Sequence, residues 1–353
     1  MSCCSRTCGP SLEFWKEGGR SLSGEARVAG GEADVPAAGT GMPIGVFDSG
    51  VGGLTVLRAL RSAMPAENFI YLGDTARLPY GTKSAETVVR YSLQCAAALV
   101  RRRIRCLVVA CNTVSASALD ALRAHHPTLP IVGVIEPGAE AAVAASASGR
   151  IAVIATEGTV GGGAYQAAIH RLNPAAQVTS RACSLFVSMA EEGWTEGPIA
   201  EAVARRYLDP IFGDPIFQSG EAPDTLVLGC THFPALAASI RAVLPPHVNI
   251  VDSAATTAAA VLRQLRGAAA RDGAAGYAAD RADPAAQGAV YWLATDGAAR
   301  FARVGSTFLG ETLRADMVEI IDLSRGAASA AWNPSLESRL KAARSVMSDI
   351  TSK

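Results

Sequence analysis

Leu107-Val108-Val109-Ala110-Cys111-Asn112-Thr113 is an apolar run of strand length that stops in a cysteine and two small hydrogen-bonding residues. A second version, Leu226-Val227-Leu228-Gly229-Cys230-Thr231-His232, follows much later. In each, the apolar run suits a buried strand and the polar residues after the cysteine suit the start of a helix. Two strand–cysteine–polar units in one chain imply two similar halves, each delivering one thiol to a shared place.

The chain has 353 residues, 49% hydrophobic and 18% charged, enough apolar material for two α/β domains rather than one small one. Its 32 basic residues balance its 32 acidic ones, so neither a nucleic-acid partner nor a solvating acidic tail is expected. The opening residues lack the continuous apolar core of a secretory signal, and no run approaches the roughly 20 apolar residues of a membrane span. A cytoplasmic protein with reduced thiols and no membrane partner is expected. Of eight cysteines, Cys3, Cys4 and Cys8 are spaced like half of a zinc site, but no matching His or Cys cluster follows, and no metal is assigned. Cys95, Cys106 and Cys183 lie in apolar stretches and read as small core residues.

Residues 1–42 read as a flexible extension, 43–138 plus 251–325 as a first α/β domain, 139–250 as a second, and 326–353 as a tail. Ile44 to Phe47 is a buried strand, followed by the loop Asp48-Ser49-Gly50-Val51-Gly52-Gly53 and an amphipathic helix. Those glycines are not a dinucleotide fingerprint, because Thr55 stands where its last glycine belongs. Asp48 suits either a ligand-binding carboxylate at a strand's carboxyl end or a cap for the helix. Phe69 to Leu72 is the next strand, leading into a long polar loop from Gly73 to Lys83 and a helix over 84–103. One helix runs from Val114 until Pro127 stops it, and Ile131 to Ile135 is a strand with Glu136-Pro137-Gly138 as a crossover. Ile151 to Thr159 repeats the logic of the first strand, with Thr156 in the place of Asp48. Strands at 250–253, 290–295 and 318–322 and helices at 254–265 and 301–309 complete the pattern, with 267–288 as a linker.

A cysteine between a parallel strand and a helix feels the helix's positive end, which favours the thiolate and lowers its pKa. Two such thiols on opposite faces of one molecule can take a proton from one side and give one to the other. Asp48 and His232 are placed to manage those protons. With no dinucleotide fingerprint or evident pyridoxal site, a carbanion would rest on fixed donors such as Asn112, Thr113, Thr231 and the amides near Ser49 and Gly81.

Phe47-Asp48-Ser49-Gly50, Tyr71-Leu72-Gly73-Asp74-Thr75, Pro79-Tyr80-Gly81-Thr82-Lys83, Ala110-Cys111-Asn112-Thr113 and Gly229-Cys230-Thr231-His232 together resemble the bacterial glutamate racemases of the aspartate/glutamate racemase family. Gly133 to Gly138 and Thr156-Glu157-Gly158-Thr159 agree with it. The resemblance implies the α/β class, with two pseudo-symmetric α/β domains, parallel-type sheets and the active site at the domain interface. It also implies a homodimer and interconversion of L- and D-glutamate without a cofactor, supplying D-glutamate for peptidoglycan. Carried over by position, Cys111 and Cys230 are the acid/bases, Asp48 assists Cys111, and His232 and Glu191 assist Cys230. Asp48, Ser49, Tyr80, Gly81, Asn112, Thr113, Thr231 and His232 would hold the substrate, with Thr156 and Thr159 joining them, which of the two touches it being open. Ser184 and Ser188 depart from a common Pro of the family, and Val114 from a smaller residue. Two alternatives stand beside this reading: an aspartate racemase on the same fold, and a thiol redox or zinc-binding protein using Cys111 and Cys230. No C-x-x-C spacing favours the last.

Overall fold

The computed structural model describes residues 41–213, 222–271 and 288–323. The extension over 1–40 with Cys3, Cys4 and Cys8, most of the linker and the tail over 326–353 lie outside them. The first stretch runs β1 (Ile44–Asp48), α1 (Leu54–Ala63), β2 (Phe69–Gly73), α2 (Ala85–Val100), β3 (Cys106–Val109), α3 (Asn112–Ser117), α4 (Leu119–His125), β4 (Ile131–Gly133) and α5 (Ile135–Ala145). The next runs β5 (Arg150–Ala155), α6 (Glu157–Gly161), α7 (Ala164–Leu172), β6 (Gln177–Ala182), α8 (Leu185–Glu192) and α9 (Pro198–Phe212). It continues through β7 (Thr225–Gly229), α10 (Ala237–Val243), β8 (Asn249–Asp252) and α11 (Ser253–Arg271). The last elements are β9 (Val290–Ala294), α12 (Ala298–Leu309) and β10 (Val318–Ile320).

The strands form two wholly parallel sheets, ordered β10-β9-β2-β1-β3-β4 and β6-β5-β7-β8. The order β2-β1-β3-β4 recurs as β6-β5-β7-β8, so the two cysteines follow equivalent strands, β3 and β7. Strands β1, β2, β3 and β7 are buried along their whole lengths. Continuous apolar strands of this kind are what parallel sheets covered on both faces require.

The register revises one equivalence. Val109 pairs with Phe47 and Leu228 with Ile154, each two residues before its cysteine. Thr156 is therefore the counterpart of Ser49, and Ala155 that of Asp48. Likewise Thr231 matches Asn112, and His232 matches Thr113.

Three local expectations also change. The strand after β3 ends at Gly133, and Ile135-Glu136-Pro137 forms the first turn of α5. Proline is tolerated there because first-turn amides have no intrahelical partner to lose. The helix after Cys111 is broken in two at Ala118, whose φ of −123° departs from helical values. α11 is longer than expected, packs along α1 and α5, and buries Ala258, Val261 and Leu265. No helix among the described residues is long and apolar enough to cross a membrane.

The two sheets meet at their strand ends through loops with little room. A methyl group on Gly52 would lie 2.5 Å from both His232 Nδ1 and Thr231 Oγ1, and both of those side chains are buried. Gly52→Ala is therefore expected to lower stability by roughly 1–3 kcal/mol in urea unfolding. Gly161→Ala, where nothing lies within 4 Å, should stay within about 0.5 kcal/mol of the parent.

Candidate active site

Asp48 ends β1 fully buried. Its Oδ2 accepts hydrogen bonds from the Gly50 and Gly53 amides at 3.0 and 3.1 Å and from the Tyr71 hydroxyl at 3.4 Å. One oxygen thus holds the loop ahead of α1 without capping the helix itself, whose N-cap is Gly53 with no side-chain hydrogen bond. The other, Oδ1, is buried with no hydrogen-bond partner among the described residues. A lone buried carboxylate oxygen is costly unless something else is meant to meet it.

Cys111 is 6% exposed, and its thiol donates to Ser49 Oγ at 3.4 Å. Burial pushes this thiol up to about 12, with the charges of Asp48 and Cys230 adding to the effect. The Ser49 hydroxyl and the Val114 amide of α3 pull the other way. The helix start therefore acts in the expected direction on Cys111, but burial outweighs it. At Cys230 the expected geometry is absent: a 3-10 turn over Phe233–Leu236 intervenes before α10.

Cys230 has a different neighbour. Its sulfur lies 3.8 Å from His232 Nδ1, and His232 Nε2 lies 3.2 Å from Glu191 Oε1. Burial opposes charge on this imidazole, but the Cys230 sulfur and the Glu191 carboxylate outweigh it, with Asp48 assisting, and raise it to about 10. Glu191 is itself held below the usual carboxylate range: burial opposes its charge, and His232 and Arg300 more than offset that. Arg300 Nη2 donates to Glu191 Oε2 at 2.8 Å.

Contacts between the two halves surround the thiols. The Gly158 amide donates to Gly81 O at 2.8 Å, and Thr55 Oγ1 to Thr231 O at 3.3 Å. Thr113 Oγ1 lies 3.0 Å from Thr156 Oγ1 and 3.2 Å from Thr159 Oγ1, with 3.1 Å between the latter two. Thr156 is 9% exposed and Thr159 1%, which makes Thr156 the more accessible. Tyr165 donates to Asn112 Oδ1 at 2.8 Å, leaving Asn112 Nδ2 buried without a partner among the described residues.

Cys111, Cys230, Asp48, Ser49, Asn112, Thr113, Thr156, Thr159, Thr231, His232 and Glu191 thus belong to one connected region. Tyr80 has its hydroxyl engaged within its own loop. Its hydroxyl donates to the buried Asp74, which also takes Arg77 Nε at 2.6 Å and Thr295 Oγ1 at 2.9 Å, so Tyr80 braces its own loop. Gly81 serves by close approach: a methyl there would lie 2.8 Å from Thr156 Cβ. Sequence reasoning did not assign Tyr71, Tyr165 or Arg300 to the site. Tyr71 sits in an ordinary apolar strand and Tyr165 in an ordinary amphipathic helix, while Arg300 follows the linker; nothing local marks any of them. A cavity of about 550 Å³, lined by Arg123, Glu136, Glu140 and Arg263 among others, contains neither thiol.

Two buried thiols stand at equivalent strand ends, one near a carboxylate and one beside an imidazole–carboxylate pair, all of them groups that can give or take a proton. Residues 44–261 match the family model described as Asp/Glu/Hydantoin racemase, and the chain belongs to that family. A glutamate racemase of Geobacter metallireducens is 50% identical over 271 residues, spanning 76% of this chain and 93% of that protein. The crystal structure of a Francisella tularensis glutamate racemase in complex with D-glutamate is 34% identical, with TM-score 0.69, over 80% of this chain and 98% of that one. That of an Escherichia coli glutamate racemase, in complex with L-glutamate and an activator, is 29% identical with TM-score 0.58, over 76% and 96%.

The raised pKa of His232 has a pH signature. Its folded value of about 10 exceeds the ordinary 6.5, so protonation stabilises the fold. That contribution is fully present below about 6.5 and is lost as pH rises through about 10. The stability gap between the parent and His232→Asn, followed by urea unfolding, should shrink over this interval and level off above it.

Proposed function

We propose that this chain interconverts L- and D-glutamate by two-base proton transfer between Cys111 and Cys230, without a cofactor. The observation that carries the reading is the placement of two differently supported thiols at equivalent strand ends, beside the unpartnered Asp48 Oδ1 and Asn112 Nδ2. The relatives' glutamate racemase names support the substrate. The site lies where the two expected domains meet, the second running from 139 to Asp252 rather than to 250, because β8 pairs with β7 in its sheet.

In one direction Cys230, with His232 at its side, takes the role of base, and Cys111, whose thiol is pushed up by burial, takes that of acid. Cys230 takes the α-proton of glutamate from one face. The electron pair left on Cα is then protonated from the opposite face by Cys111, leaving a Cys230 thiol and a Cys111 thiolate. The other enantiomer runs the same steps in reverse. Asp48 Oδ1 accepts from the substrate ammonium, and Asn112 Nδ2 donates to its α-carboxylate. Ser49, Thr113, Thr156, Thr231 and the Gly81 loop complete the polar lining. The enzyme works in the cytoplasm as a homodimer and supplies D-glutamate for peptidoglycan, on the strength of the family resemblance.

The test is chiral analysis of product from L-glutamate, with L-aspartate as comparison. Cys111→Ala and Cys230→Ala should each lower racemisation at least about a hundredfold, the scale of losing a general acid or base. Preference for aspartate would overturn the substrate assignment, and near-parental activity in either variant would overturn the mechanism.

A further inference from the structure

We propose that Arg300 is a positioning residue for the Cys230 side of the site: it fixes the Glu191 carboxylate so that its other oxygen holds His232 against the sulfur. This rests on the racemase reading above. The chain of contacts is continuous, from Arg300 Nη2 to Glu191 Oε2 at 2.8 Å, Glu191 Oε1 to His232 Nε2 at 3.2 Å, and His232 Nδ1 to Cys230 Sγ at 3.8 Å.

The two partners of Glu191 come from opposite parts of the molecule. Glu191 lies in α8 beside the second sheet, whereas Arg300 lies in α12, next to β9 of the first. The same helix meets the imidazole directly, since Phe308 stacks edge-on against His232 with ring centres 5.1 Å apart. α12 therefore touches the His232–Glu191 pair twice, once by charge and once by ring packing. It also lies beyond residue 261, where the family match ends.

Glu191 needs such an anchor. With Val51 and Leu78, Glu191 and Arg300 border a cavity of about 120 Å³. The Arg300 side chain is half exposed, so water has access to the pair. A carboxylate tied only to His232 would be free to rotate into that water, and the imidazole would lose its second partner. The charged groups facing His232 are Cys230, Glu191 and Asp48, with Arg300 behind Glu191. Arg300 can act on His232 in two opposite ways, by orienting Glu191 or by competing for its charge. The inference is that orientation dominates.

The experiment compares parent, Arg300→Ala, Arg300→Lys and, as a control on the exposed side of α12, Arg303→Ala. Ligand-free protein would be titrated by ¹⁵N NMR of His232, and glutamate racemisation measured in parallel. For Arg300→Ala, the His232 midpoint should fall by about one pH unit and kcat by about tenfold, the scale of one charge-assisted hydrogen bond. KM should stay within about twofold, because Arg300 would not touch substrate. Arg300→Lys should recover most of both effects and Arg303→Ala should match the parent. An unchanged midpoint would overturn the inference, and a raised one would show Arg300 to be only a competing charge. The expected midpoint shift in a protein whose parent form does not racemise glutamate would sink the racemase reading while leaving the placement of Arg300 standing.

Discussion

Gly52 faces His232 and Thr231 across the boundary between the two sheets, at a separation that leaves no room for a methyl group. Gly81 meets Thr156 in the same way, and the Gly158 amide closes on Gly81 O. Ligands of parallel α/β sheets bind at the carboxyl ends of the strands. Two such ends can share one ligand only if the loops between them nearly touch. The glycines permit that approach, and the hydroxyl cluster of Thr113, Thr156 and Thr159 then ties the halves together.

Within that frame the halves are alike in backbone and unlike in charge. Ser49 and Thr156 occupy equivalent positions, but Asp48 is matched by Ala155, and His232 by Thr113. One thiol is therefore pushed up by burial with the neighbouring Asp48 adding to it, and the other sits beside an imidazole that the sulfur and Glu191 raise. A repeated fold supplies two opposed positions, and the substitutions between repeats supply different polar neighbours for the two thiols. An acid and a base need both.

Much of this is legible in the sequence because it rests on local pattern. Cys111 and Cys230 announce themselves as the abrupt ends of apolar strands, and His232 lies two residues from its thiol. The strands after the linker are visible as apolar runs for the same reason. What the sequence hides depends on pairing across distance. Thr156 reads as the partner of Asp48 until the strand register makes it that of Ser49. The bond from the Tyr80 hydroxyl to Asp74, itself held by Thr295 from β9's end, is one such pairing. A lowered Cys111 pKa follows from the helix start alone, and burial reverses it. Glu136-Pro137-Gly138 reads as a crossover although Pro137 sits in the first turn of α5, where a helix accepts proline. Arg300 and Tyr165 carry no local signal at all.

The central claim is that two thiols act on opposite faces of one carbon, and the isotope content of the first product tests it most directly. L-Glutamate would be incubated with the parent protein in heavy water and sampled at low conversion. Two bases predict D-glutamate carrying deuterium at Cα from its first appearance, while the remaining L-glutamate stays largely protiated. D-Glutamate that kept the substrate's own proton would mean that a single group collects and returns it, which would contradict the account.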